Sequence, residues 1–191
     1  MLSFSEYISS QNVVASSINS AEIIDNLVES IWNLSADSNS FVFTIGNGGS
    51  ASTAEHFSAD LAQMEYRTGK TIRSFCLNSQ ISLSSALAND YDYSIVLEKQ
   101  LSLFKNSNYV LVAFSASGNS SNILKAIKFS LNLKKEVYCF AGFNGGQVLN
   151  ITEAKTILFP DKNKNYGVAE NLHLTATHYV IDKLIEKFNG I

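Results

Sequence analysis

Two hydrophobic rhythms alternate along most of this chain. Short, nearly uninterrupted apolar runs fall at 41–45, 72–77, 108–114, 136–140 and 155–159, the pattern of strands covered on both faces. Between them, 50–64, 80–88, 93–104, 119–132 and a short piece near 145–150 read as helix, and a longer helix is expected over about 167–188. Ahead of the first strand, Val13, Val14, Ile18, Ile23, Ile24, Leu27, Val28, Ile31 and Leu34 recur at 3–4-residue spacing, so 3–35 is also helical in pattern, with a break expected near Ser17–Ser20. Strands alternating with helices require right-handed crossovers. The expectation is an α/β chain, a five-stranded parallel sheet flanked by helices, behind an N-terminal helical segment at 1–38. In such sheets ligands bind beyond the carboxyl ends of the strands.

The turns after the strands are therefore the first places to look. Residues 45–57 read I-G-N-G-G-S-A-S-T-A-E-H-F. Glycines at Gly46, Gly48 and Gly49 permit positive φ and close approach of the backbone to a ligand. Ser50 can cap the following helix, whose free N–H groups attract phosphate. Gly46-x-Gly48-x-x-Ala51 also fits a loose dinucleotide fingerprint. That fingerprint needs an acid at the end of the second strand. Here the strand ends Phe75-Cys76-Leu77-Asn78-Ser79, which speaks against NAD; a tight turn without a ligand is the plain alternative.

A second turn, Ser115-Ala116-Ser117-Gly118-Asn119-Ser120-Ser121, follows the strand at 108–114. Hydroxyls and a helix N-terminus can hold a phosphate dianion without Lys or Arg. The alternative is a surface turn with Ser120 or Ser121 as a simple cap. Two such turns in one chain point to a phosphorylated ligand. Ala88-Asn89-Asp90-Tyr91 is either an ordinary turn pair or a place where polar side chains hold sugar hydroxyls.

Composition narrows the setting. The chain has 191 residues, a single proline (Pro160) and no Pro- or Ser-rich linker or internal repeat, so one domain spanning 1–191 is expected. Apolar residues make up 46% and charged ones 16%, a low surface charge that suits burial in an oligomer. The net charge is −3, with Lys134-Lys135 and Lys162/Lys164 the densest basic pairs, so no nucleic-acid partner is suggested. The apolar runs are shorter than the ~20 residues of a membrane span. Met1-Leu2-Ser3-Phe4-Ser5-Glu6 lacks the basic and hydrophobic regions of a secretory signal, and a cytoplasmic protein is expected. Cys76 and Cys139 lie in apolar, strand-like stretches and read as reduced core thiols, with a disulfide the alternative.

The chain has 3 histidines. His56 and Asp60 are at i, i+4, about 6 Å apart on one helix face. The last helix carries Glu170, His173 and His178. Glu170 and His178 are separated by roughly 12 Å along the axis, so they cannot share one atom unless long side chains lean inward or the helix start bends. Two imidazoles and two carboxylates suit a zinc-type site; a surface pair at His56–Asp60 is the alternative. His173 reads as a packing residue.

Together G-N-G-G-S-A, H-F-x-x-D-L, A-N-D-Y, S-A-S-G-N-S-x-N-I-L-K-A-I, G-x-x-G-G and E-N-L-H-L-x-x-x-H resemble the sugar isomerase (SIS) domain family, and within it the phosphoheptose isomerases. The likeness runs in order through nearly the whole chain. It implies a three-layer, flavodoxin-like sandwich, with the N-terminal segment used in assembling a homotetramer whose active sites lie at subunit interfaces. It implies ligand contacts at Asn47, Gly48, Gly49, Ser50, Ser115, Ala116, Ser117 and Ser120, with Asn89 and Asp90 near the sugar. It places one metal ion, zinc, on His56, Asp60, Glu170 and His178, with substrate also meeting Asp60 and Glu170. The implied activity converts sedoheptulose 7-phosphate to D-glycero-D-manno-heptose 7-phosphate for a surface polysaccharide.

Two positions depart from the family's pattern. Asp60 stands where Glu is usual, shortening the reach by about one methylene, ~1.5 Å, and errors of ~1 Å can cost about 100-fold in rate. Glu170 stands where Gln is usual and adds a negative charge that favours a divalent ion. The expected mechanism passes through an enediol, with Asp60 as base and His178 as acid. The alternatives are a sugar-phosphate-binding or regulatory relative without turnover, and an isomerase for a different sugar phosphate.

Overall fold

A strand with strands on both sides can only send its side chains alternately into two opposite layers, and the central strand of this protein does so. The computed structural model describes residues 3–18 and 21–190. Its sheet is built from β1 (Ser40–Ile45), β2 (Ser74–Cys76), β3 (Asn108–Ser115), β4 (Glu136–Gly142) and β5 (Lys155–Phe159). The strands are all parallel, in the order β2-β1-β3-β4-β5. In β3, Val110, Val112 and Phe114 enter one core, and Tyr109, Leu111 and Ala113 enter the other.

The first core is closed by α2 (Ala21–Leu34), α3 (Gly49–Ala62) and α8 (Tyr166–Asn189), through Leu27, Ile31, Phe57, Leu61, Val180 and Leu184. The second is closed by α6 (Val96–Ser102) and α7 (Ser121–Asn132), through Leu97, Leu101, Ile123 and Ile127. Helices on both faces give the expected three layers. Cys76 and Cys139 are buried and unpaired with one another, and burial pushes the Cys139 thiol up to about 12. Among the described residues no helix is long and apolar enough to cross a membrane.

Several boundaries differ from the sequence reading, each for a local reason. The N-terminal helical stretch is two helices. The first, α1 (Phe4–Ser16), opens on a capping box in which Ser3 and Glu6 satisfy each other's backbone N–H groups, and the second is α2. The expected break falls between them, although positions 19 and 20 lie outside the described residues, as do positions 1 and 2 of the stretch read for a signal. β2 is shorter than 72–77: Ile72 is buried off the ladder, and Leu77 opens a 3-10 turn. The helix expected over 50–64 ends at Ala62, and a separate α4 (Met64–Thr68) follows, closed by Gly69 in the left-handed region. The 93–104 stretch begins as a 3-10 turn capped by Asp92, and of the piece expected near 145–150 only Gly146–Asn150 is helical, as a 3-10 turn. Finally, α5 (Ile81–Asp90) contains no buried residue, and Ile81 and Tyr91 are 76% and 70% exposed.

Candidate active site

The strand order reverses between β1 and β3. Register pairs Ile45 with Ala113, so the chain leaves two neighbouring strands at one edge and turns to opposite faces, which opens a crevice. Two glycines make the first turn possible. A side chain on Gly46 would strike the backbone of Ser50 and Ala51, and Gly48 has φ +56° and ψ −126°, a conformation that favours glycine. The Gly46 peptide is gripped at both ends by one amide: its N–H donates to Asn78 Oδ1 (3.0 Å), and Asn78 Nδ2 donates to its carbonyl (2.7 Å). Asn78 thus stands near the tip of β2, where a dinucleotide site would keep its acid, and is engaged in holding the turn. Helix α3 is capped by Gly48 without a side-chain hydrogen bond. Ser50, read as a possible cap, is instead a buried residue of the first turn, so the leading N–H groups of α3 have no side-chain cap.

The second turn is braced from behind by 142–148. The N–H of Gly142 donates to the Ala116 carbonyl (3.0 Å), that of Val148 to the Gly118 carbonyl (3.1 Å), and that of Gln147 to Asn119 Oδ1 (3.0 Å). The methyl of Ala116 is buried with Phe143 and Ala169, so only the backbone of that residue can face a ligand. Ser117 Oγ accepts from the Asn119 N–H at 3.3 Å. Ser120 is the N-cap residue of α7 but makes no capping bond with its side chain, which corrects the simple-cap alternative. The Ser115 hydroxyl is buried without a hydrogen-bond partner. Asn47 and Asn122 join the two turns by exchanging amide hydrogen bonds, both 2.9 Å, and Tyr93 OH donates to Asn47 Oδ1 at 2.8 Å. Asn89 and Asp90 end α5, exposed and bonded to each other at 2.9 Å.

Further along α3, three side chains converge. His56 Nε2 lies 3.0 Å from His178 Nε2 on α8 and 3.2 Å from Asp60 Oδ2. The other Asp60 oxygen lies 3.8 Å from the Arg67 guanidinium on α4. Donors held 2.0–2.1 Å from a zinc ion at tetrahedral corners are separated by about 3.3 Å, so the two separations from His56 suit that ion. Three donors from one chain would leave a fourth corner to another ligand.

Glu170 is not with these three. Its carboxylate lies where a side chain on Gly49 would begin. Glu170 faces Gly49 and His178 faces His56, so α3 and α8 run side by side in the same direction. The seven residues from Gly49 to His56 put about 10 Å between these two levels. His173 lies elsewhere again, buried among Phe114, Phe140 and Phe159. Burial lowers its imidazole to about 4, and the nearby Ala141 backbone, which raises it slightly, does not reach hydrogen-bonding geometry. Sequence reasoning missed Asn78, Tyr93, Asn122 and Arg67 as site residues. Only Asn122 carried a signal, as part of the S-x-N-I-L-K stretch.

The SIS domain family model matches residues 6–142. A phosphoheptose isomerase of Helicobacter pylori is 33% identical over 147 residues, 77% of this chain and 75% of that protein. Among solved structures, a phosphoheptose isomerase of Neisseria gonorrhoeae superposes with a TM-score of 0.81 at 24% identity, over 95% of this chain and 94% of that one. The corresponding structure from Francisella tularensis gives 0.82 at 23%, over 96% and 94%. At these identities the two structures speak to the fold alone, and their coverage carries the likeness into α8, beyond the span of the family model.

Proposed function

The chain belongs to the SIS domain family, among the phosphoheptose isomerases, which are aldose–ketose isomerases, and from that premise we propose that it interconverts sedoheptulose 7-phosphate and D-glycero-D-manno-heptose 7-phosphate. The observation that carries the reading is the meeting of His56, Asp60 and His178 on the α3–α8 face of a sheet whose switch point carries two hydroxyl-lined turns. The proposed phosphate contacts are the N–H groups at 48–50 and the hydroxyls of Ser50, Ser115, Ser117 and Ser120. An anion held there, away from the reacting carbons, supplies binding energy and fixes their position. The ~10 Å between Gly49 and the His56 level favours a sugar with several carbons between its phosphate and its carbonyl.

In the proposed reaction Asp60 removes the proton from C1 of the ketose and, after exchange with solvent, delivers a proton to C2. His178 gives a proton to O2 as the enediol forms and takes the O1 proton as the aldehyde forms, which restores it. Zinc bound by His56, Asp60 and His178 would polarise the carbonyl and orient the sugar oxygens. A ring nitrogen that holds a metal ion has no proton to give, so the metal and acid roles of His178 are alternatives at Nε2. The expected fourth donor, Glu170, lies a level away within one chain; a second copy in a homotetramer would supply it. The bare outer face of α5 supports such an assembly. We place the protein in the cytoplasm, in heptose synthesis for a surface polysaccharide.

A second reading, sugar-phosphate binding without turnover, is favoured by the short Asp60 side chain and its pairing with Arg67. NMR of sedoheptulose 7-phosphate with the purified protein in D2O decides between them. Conversion with solvent deuterium at C2 of the aldose is expected. Binding without conversion would leave the second reading standing, and conversion of only a shorter sugar phosphate would reassign the substrate.

A further inference from the structure

Resting on the reading of residues 46–50 and 115–121 as the phosphate grip, we propose that the Asn47 side chain is one half of a bolt, with Asn122, that fixes the spacing of the two turns, and that Tyr93 latches the bolt from outside. All three are then positioning residues. A side-chain amide has one oxygen with two lone pairs and two N–H groups. Both lone pairs of Asn47 Oδ1 are taken, by Asn122 Nδ2 at 2.9 Å and Tyr93 OH at 2.8 Å, and one N–H is given to Asn122 Oδ1 at 2.9 Å. Asn122 is only 2% exposed. Turning Asn47 toward a ligand would strand the buried amide of Asn122, which is costly.

The placement fits a bolt. Asn47 is the apex of the first turn, between Gly46 and Gly48, while Asn122 is the second residue of α7, directly after the second turn. Each turn is held separately on its far side, the first by Asn78 and the second by the 142–148 segment. The amide pair ties the two together across the crevice. A phosphate that takes hydrogen bonds from both turns senses their separation, and a misplacement of ~1 Å is expensive in such sites. Tyr93 lies in the 3-10 turn just after the segment that carries Asn89 and Asp90, so that segment is joined to the grip through one phenol.

The test uses the whole chain and two probes, inorganic phosphate and sedoheptulose 7-phosphate, titrated calorimetrically alongside zinc binding and steady-state kinetics. Asn47→Ala and Asn122→Ala are expected to weaken both probes by the same factor, about 10-fold, with KM rising more than kcat falls and zinc affinity unchanged. The double variant is expected to lose no more than either single one, because either change opens the bolt. Tyr93→Phe is expected to cost about 3-fold. Loss of sugar-phosphate affinity with inorganic phosphate unaffected, or losses that multiply in the double variant, would show the two amides acting independently and overturn the bolt. Should Asn122→Ala fail to fold, Tyr93→Phe decides: unchanged phosphate affinity overturns the proposal. A folded wild-type protein that binds neither probe removes the phosphate-grip reading itself, a different result from wild-type binding with multiplying losses.

Discussion

Around residues 46–50 and 115–121 the chain's own polar groups answer one another. Asn78 holds Gly46, Asn122 holds Asn47, and Asn119 ties the second turn to the segment behind it. The Ser115 hydroxyl is buried there without a partner. Two turns along α3 the situation is reversed. Two ring nitrogens and a carboxylate oxygen lie within 4.8 Å of one another, and the contact to Arg67 is long at 3.8 Å. The spacing of the turns is fixed by the chain's own bonds before any ligand arrives, whereas the triad would be completed by a proton or by a ligand. Rigid groups are suited to gripping an anion, and groups with unmet demand to moving protons.

The most severe test of this contrast exchanges the two losses. Asp60→Asn or His178→Gln is expected to lower turnover by at least about 100-fold while sugar-phosphate affinity stays measurable; Ser117→Ala with Ser120→Ala is expected to weaken affinity by about 10- to 100-fold. Equal damage to both quantities from either change would erase the distinction.

A second test concerns the histidine that belongs to neither region. The folded state holds His173 at about 4 against an ordinary 6.5. Between those values the unfolded chain binds a proton that the folded chain refuses, so stability is whole above about pH 6.5 and falls as the pH drops toward 4. The gap corresponds to about 3 kcal/mol. Urea unfolding at stepped pH should show this slope, and His173→Leu should flatten it.

A smaller effect sharpens the picture of the triad as an incomplete site. Zinc at 100 times its dissociation constant is expected to stabilise the protein by about 2.7 kcal/mol in thermal unfolding. The gain should vanish in His56→Gln, and Ser117→Ala should keep it.

The sheet was legible because strands covered on both faces carry near-continuous apolar runs, and all five appear within a few residues of expectation. The exceptions follow from burial without pairing, as at Ile72, and from a helix break at Gln63 that no glycine or proline announces. That break decides where Arg67 lies, so its contact with Asp60 could not be read from the sequence. The i, i+4 spacing of His56 and Asp60 was visible; their meeting with His178 depended on α3 and α8 lying parallel. The ~12 Å expected between Glu170 and His178 also held, and it separates them within one chain. The asparagines were the least legible, because an amide looks the same in a sequence whether it faces a ligand or another amide 75 residues away.

Helix α5 adds nothing to either hydrophobic layer and is tied to its surroundings through bonds such as that from Gln100 to Ser84. Local unfolding there would leave the sheet and both cores intact, and it would pull on the Tyr93 phenol as it went. A second copy docked over Ile81 and Tyr91 would suppress such opening by mass action. Protein concentration would then set how tightly each chain grips its anion, even if the neighbour never touches it.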